Sequence, residues 1–190
     1  DGAANPSWTA ADIATSADGA YSVYVADMDS DGDLDIVSAS YEDDTVAWYE
    51  NDGASNPSWT AADISTSSSA PSSVFVADMD GDGDLDIVAA SAWDDTVTWY
   101  ENDGAVNPSW TASIIANSAD AVFSVHVADM DNDGDLDVLS GSFSDDTVAW
   151  YETDWTTSQT SSVTGATCGS SPALPSGLTM TAGTCDITGT

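Results

Sequence analysis

Short runs in which apolar and polar residues alternate, separated by clusters of Asp, Gly, Asn and Ser, organise most of this chain. YSVYVA from Tyr21 to Ala26, LDIVSA from Leu34 to Ala39 and TVAWYE from Thr45 to Glu50 carry the strand signals, with alternation clearest in the first. WTAADI, from Trp8 to Ile13, is a fourth candidate strand. Turn formers separate them: the Asp-Gly loop after Ala26, the turn from Tyr41 to Asp44, and NDGASNPS from Asn51 to Ser58. No segment keeps a helical period over three turns, so the pattern predicts an all-β fold.

The pattern recurs at a fixed interval. DGAANPSWTAADI at Asp1 returns as DGASNPSWTAADI at Asp52 and DGAVNPSWTASII at Asp103, a period of 51 residues. VADMD keeps the same spacing at Val25, Val76 and Val127, as does the DDTV turn-strand at Asp43, Asp94 and Asp145. The chain therefore divides into repeats 1–51, 52–102 and 103–153. Four short antiparallel strands in roughly 40–50 residues make a propeller-type blade, which cannot bury both faces alone. The expected architecture is three tandem four-stranded blades plus a short β-rich C-terminal tail. Trp8, Trp48, Trp59, Trp99, Trp110 and Trp150 are expected to fill the spaces between blades.

Charge narrows the possible partners. The 190 residues hold 34 acidic side chains and no Lys or Arg, a formal net charge of −34. Such a surface repels nucleic acid and anionic lipid, and no run of apolar residues is long enough to insert into a membrane. Without basic partners, the carboxylates are either scattered in water or neutralised by bound cations.

DMDSDGDLD at Asp27, DMDGDGDLD at Asp78 and DMDNDGDLD at Asp129 answer that question. Calcium takes six to eight oxygens at about 2.3–2.6 Å, and Asp at positions 1, 3 and 5 of a tight loop converges on one centre. The glycine at position 6 permits the sharp turn. An EF-hand would need Glu at position 12, where Ser38, Ala89 and Ser140 stand, and helices where strands are predicted. Position 9 (Asp35, Asp86, Asp137) can close the coordination sphere, while position 7 (Asp33, Asp84, Asp135) contributes mainly its backbone carbonyl. Zinc and copper are disfavoured because the loops hold no thiolate or imidazole. About three calcium ions are expected, one per repeat.

DxDxDGDxD between VAD and DIV strands resembles the FG-GAP/VCBS repeat, also found in integrin α-subunit propellers. The resemblance implies a calcium site in the loop joining a blade's first two strands, in secreted or cell-surface proteins used for adhesion or carbohydrate contact. Its ligands would fall on Asp27, Asp29, Asp31, Asp33 and Asp35. In the second repeat they would be Asp78, Asp80, Asp82, Asp84 and Asp86, and in the third Asp129, Asp131, Asp133, Asp135 and Asp137. Such propellers commonly have seven blades, and three cannot close a ring.

Residues 154–171, rich in Ser and Thr, read as a linker. SPALPSGLTMTAGTCDITGT at Ser171 is similar to a fragment of an immunoglobulin-like repeat, giving a partial module over 172–190. Cys168 and Cys185 are predicted to form a disulfide, which with the calcium loops places the protein outside the cell or on its surface. No export signal opens the sequence, so Asp1 reads as an N-terminus left by processing.

Catalytic candidates are few. His126, the single histidine, takes the place of Tyr24 and Phe75 and reads as a packed strand residue. The Asp43–Asp44 pair recurs in every repeat, as a structural turn does, and no arginine exists to clamp an acidic substrate. Two non-enzymatic readings remain: a structural subunit whose copies join head to tail, and an adhesion module contacting glycans or cell-surface proteins. The second would be an excerpt from a larger cell-surface protein; the first is favoured because Trp155 to Val163 could supply the fourth strand of the third blade, leaving Trp8 to Ile13 an extra strand that invites pairing with another chain.

Overall fold

The computed structural model describes residues 8–155, 178–180 and 187–189. All the regular structure of the described residues is β, and residues 8–155 form one compact unit. The first sheet is a meander of β1 (Ala20–Ala26), β2 (Asp35–Ser40), β3 (Thr45–Asn51) and β4 (Trp59–Ser65). A second meander repeats it with β5 (Pro71–Ala77), β6 (Asp86–Ser91), β7 (Thr96–Asn102) and β8 (Trp110–Ala116). The third sheet holds β9 (Val122–Ala128), β10 (Asp137–Ser142) and β11 (Thr147–Tyr151), three strands among the described residues.

The outer strand of each complete blade comes from the start of the following repeat. Trp59 pairs with Asn51 and Ala61 with Tyr49; one period later Trp110 pairs with Asn102 and Ala112 with Tyr100. Alternation sorts the side chains onto two faces. Val37, Ala39, Val46 and Trp48 of the first blade meet Val74, Val76, Ile87 and Tyr100 of the second in one buried cluster. Val88, Ala90 and Val97 on the second blade's other face meet Val125, Val127 and Val138 of the third. The blades approach each other through their first strands, β1 against β5 and β5 against β9. Tyr24, Phe75 and His126 thereby form a row of rings with centroids 5.0 and 4.6 Å apart.

Polar stitches cross the same seams. Ser22 Oγ accepts from the Val74 N–H at 3.3 Å, and Ser73 Oγ from Val125 at 3.2 Å. The second Asp of each DD turn, Asp44 or Asp95, sits at φ 59° or 58° and accepts from the next blade's Ala70 or Ala121 N–H at 2.8 or 2.9 Å. The first, Asp43 or Asp94, accepts from the Asp18 or Ser69 N–H within its own blade at 3.1 or 3.4 Å. The recurrent acid pair is thus a turn that ties the first blade to the second and the second to the third.

Three expectations need correction. Trp8–Ile13 forms no strand: its counterparts pair with the third strand of the preceding repeat, and among the described residues Trp8–Ile13 has no such partner. Trp8, 90% exposed, and Trp150, 48% exposed, do not lie between blades, since each stands where the stack ends. His126, expected to be a packed strand residue, lies in a strand with its ring against Phe75 but is exposed, because it lies on the outward face of the last blade.

In the unit Thr156–Thr190, β12 (Leu178–Met180) pairs antiparallel with β13 (Ile187–Gly189). The predicted linker, the Cys168–Cys185 disulfide and the remainder of the immunoglobulin-like fragment lie outside the described residues.

Candidate metal centre

Each DxDxDGDxD loop joins the first and second strands of its blade: β1 to β2, β5 to β6, β9 to β10. Two positions per loop require left-handed backbone. Position 4 is Ser30, Gly81 or Asn132, at φ 60°, 76° and 65°; position 6 is Gly32, Gly83 or Gly134, at φ 99° to 103°. Residue types at position 4 vary but all tolerate this region, whereas position 6 lies far enough out to need glycine.

These turns fold the carboxylates over the loop backbone. Asp27 accepts from the N–H of Asp31 at 3.1 Å through Oδ1 and from Gly32 at 3.0 Å through Oδ2. Asp29 Oδ1 accepts from Asp31 at 3.3 Å, and Asp31 Oδ1 from Asp33 at 2.9 Å. The ladder recurs around Asp78, Asp80 and Asp82, and around Asp129, Asp131 and Asp133. Carboxylate oxygens of Asp27, Asp29 and Asp35 lie within 4.8 Å of one another, as do those of Asp78, Asp80 and Asp82, and of Asp129, Asp131 and Asp133. Oxygens bound to one calcium ion at about 2.3–2.6 Å fall within about 5 Å of each other, so this spacing fits calcium.

Position 9 does a second job. Asp35 is fully buried; its Oδ2 accepts from Met28 N–H at 3.1 Å and its Oδ1 from Asn51 N–H at 2.9 Å, tying the loop to the end of β3. Asp86 holds Met79 and Asn102 in the same way, and Asp137 holds Met130 and Thr153. Each oxygen keeps a further lone pair for a cation.

Position 7 points elsewhere. The Asp33 carboxylate lies against Gly53 and that of Asp84 against Gly104, so close that a Cβ on either glycine would collide with it. Asp135 Oδ2 accepts from the Trp155 N–H at 3.2 Å. These three side chains brace the segment that follows each blade's third strand, consistent with a carbonyl role toward the ion.

Burial raises the pKa of Asp29, Asp80 and Asp131, with neighbouring loop carboxylates adding to it against the backbone amides that lower it. Asp86 is pushed up to about 6 by burial, which outweighs the Asn102 and Met79 amides. Asp137 feels burial too, but the amides of Thr153 and Met130 prevail and its pKa is lowered; among the described residues no further blade packs on this one. Carboxylates crowded without a counter-charge are what a divalent cation relieves.

Three participants escaped sequence reasoning. Glu50, at the end of β3, precedes Asn51, whose N–H holds Asp35, and its pKa is raised by burial and by the charges of Asp29, Asp35 and Asp31. Asn102 donates from Nδ2 to Leu85 O at 3.1 Å and across the seam to Met28 O at 3.2 Å. In the third repeat Thr153 replaces that asparagine, and Trp155 Nε1 donates to Met79 O at 3.1 Å in its stead, with its ring edge-on to Trp99. The recurrence of WYEN was the available signal for Glu50 and Asn102.

No curated protein matches the chain. The FG-GAP-like repeat family matches residues 27–89 and 78–140, each match running from one Asp loop into the strand beyond the next. The two matches together span more than half of the sequence, and their repeating unit coincides with the blade-and-loop unit of the fold: the chain belongs to the FG-GAP-like repeat family.

Proposed function

We propose that this chain is a non-enzymatic, extracellular, calcium-binding structural subunit whose copies join head to tail in a surface or fibre-like assembly. One observation carries the reading: among the described residues, the stack of blades ends on two sheet faces whose apolar side chains stay exposed. Val23 and Val25 are 66% and 52% exposed, where their counterparts Val74 and Val76 are each 5% exposed. At the other end Val148 is 84% exposed, where Val46 and Val97 are fully buried. Apolar faces of this kind mark contact surfaces. Repulsion between chains of charge −34 opposes association, so bound calcium and screening salt favour it. The absence of catalysis is supported by the use of the acid pairs as turn braces and of His126 in a ring row.

Sedimentation and electron microscopy of the intact protein, with calcium and with chelator, test this reading. Long or ring-like assemblies that shrink on chelation are expected. A monomer at high concentration with calcium present would contradict it.

A second reading, an adhesion module for glycans or cell-surface proteins, has its own support. Tyr21, Tyr41, Trp93, Phe123 and Phe143, drawn from three blades, form a chain of rings 5.6–6.4 Å apart at the strand ends away from the Asp loops. Trp93 and Phe143 are largely exposed. A discrete monomer that binds a glycan through these rings would favour this reading over the first.

A further inference from the structure

We infer that the occupant of the last blade's open edge and face is the N-terminal part of a second copy of this chain, docked as one blade docks on the next within the chain; this rests on the head-to-tail reading above. In each internal seam a blade receives two things from the following repeat: a WTA-type strand that pairs with its third strand, and an inner-strand face that covers its own. Among the described residues the third blade has received neither. Its β11 is an edge strand, and its outward face exposes Val148 and Trp150.

The missing complement stands at the other end of the same chain. WTAADI from Trp8 to Ile13 is identical to Trp59–Ile64 of β4, yet it is unpaired and lies over the outward face of the first blade. It fits that face poorly: cavities of about 390 and 340 Å³ lie between residues 11–17 and the sheet, lined by Ala47, Tyr49, Val23 and Val25 among others. The stitches are likewise half made. Ser124 and Asp146, at φ 56°, occupy the places of the Ser22–Asp44 and Ser73–Asp95 acceptors. The Val23 and Gly19 N–H groups occupy those of the donors Val74, Ala70, Val125 and Ala121.

Continuity with the internal seams fixes the register. Ala47 faces Asp63 and Thr98 faces Ile114, so Ala149 of one copy faces Asp12 of the next; likewise Tyr151 faces Ala10. Trp8–Ile13 leaves the face it covers loosely, becomes the fourth strand of the neighbour's blade, and brings Val23 and Val25 over Val148 and Trp150.

Full-length chains carrying Asp12→Cys and chains carrying Ala149→Cys are mixed in calcium and oxidised, and cross-linked peptides are identified by mass spectrometry. Directly opposed strand residues are close enough for a disulfide, so a 12–149 bond between two chains is expected, absent from either variant alone. Val148→Asp, at an exposed position, should abolish assembly while leaving the monomer's melting temperature unchanged. Assembly that persists without the 12–149 bond and is indifferent to Val148→Asp overturns this interface and leaves the head-to-tail reading standing. Chains that stay monomeric at high concentration in calcium overturn both. Amides of residues 147–151 protected from exchange in a dilute monomer would show β11 paired within its own chain and would also overturn the interface.

Discussion

Within a loop of five aspartates, the five carboxylates have different work. Asp27 folds over the loop and accepts from two of its amides, whereas Asp33 turns out toward Gly53. Asp27→Ala should therefore lose much more calcium affinity by titration calorimetry than Asp33→Ala; equal losses would contradict the assignment. The convergence of carboxylates at positions 1, 3 and 5 was legible in the sequence, because their spacing is local. The sequence could not show that position 9 also bridges to β3, or that Glu50 feels the loop's charges, because those interactions join residues 15 or more apart through the strand pairing. The raised pKa of Asp86 gives a pH dependence with a definite sign. A folded value of about 6 against an ordinary carboxylate value of 3.8 means that the folded state holds the proton more tightly. This contribution to stability is present below the ordinary value and is lost as pH rises through about 6. In chelator, melting temperature should fall over that interval, Asp86→Asn should flatten the fall, and saturating calcium should oppose it by favouring the ionised form. A flat wild-type profile in chelator would count against the burial argument.

Strands are the level at which the sequence was most legible. A period of two, repeated every 51 residues, marks β1 to β3 and their later copies because each of these strands pairs with a neighbour in its own repeat. Trp8–Ile13 has the same residues as β4 and no strand structure, since a strand's conformation is secured by its partner and pattern alone cannot supply one. The DD turns give a matched comparison between an internal seam and an open end. Asp95 Oδ1 accepts from the buried-seam amide of Ala121, whereas Asp146 has no such partner among the described residues. Asp95→Ala should cost about 1–3 kcal/mol in the monomer, the range for stranding a partly buried donor. Asp146→Ala, at nearly the same φ, should cost distinctly less. Chemical denaturation of both variants reads the difference, and equal costs would mean that the seam bond contributes little.

For the whole molecule, the question is what holds a stack of acidic blades together. Its apolar seams are continuous from the first blade to the third, but its three Asp loops concentrate negative charge at the strand ends, and no basic side chain offsets it. Calcium bound in the folded loops and not by the unfolded chain would stabilise the fold by mass action, by about 2.7 kcal/mol for each independent site at a free concentration a hundredfold above its dissociation constant. The most direct test is calorimetric melting of the full chain in saturating calcium and in chelator. The account predicts a markedly higher melting temperature in calcium, rising further with calcium concentration. Coincident melting curves would contradict it.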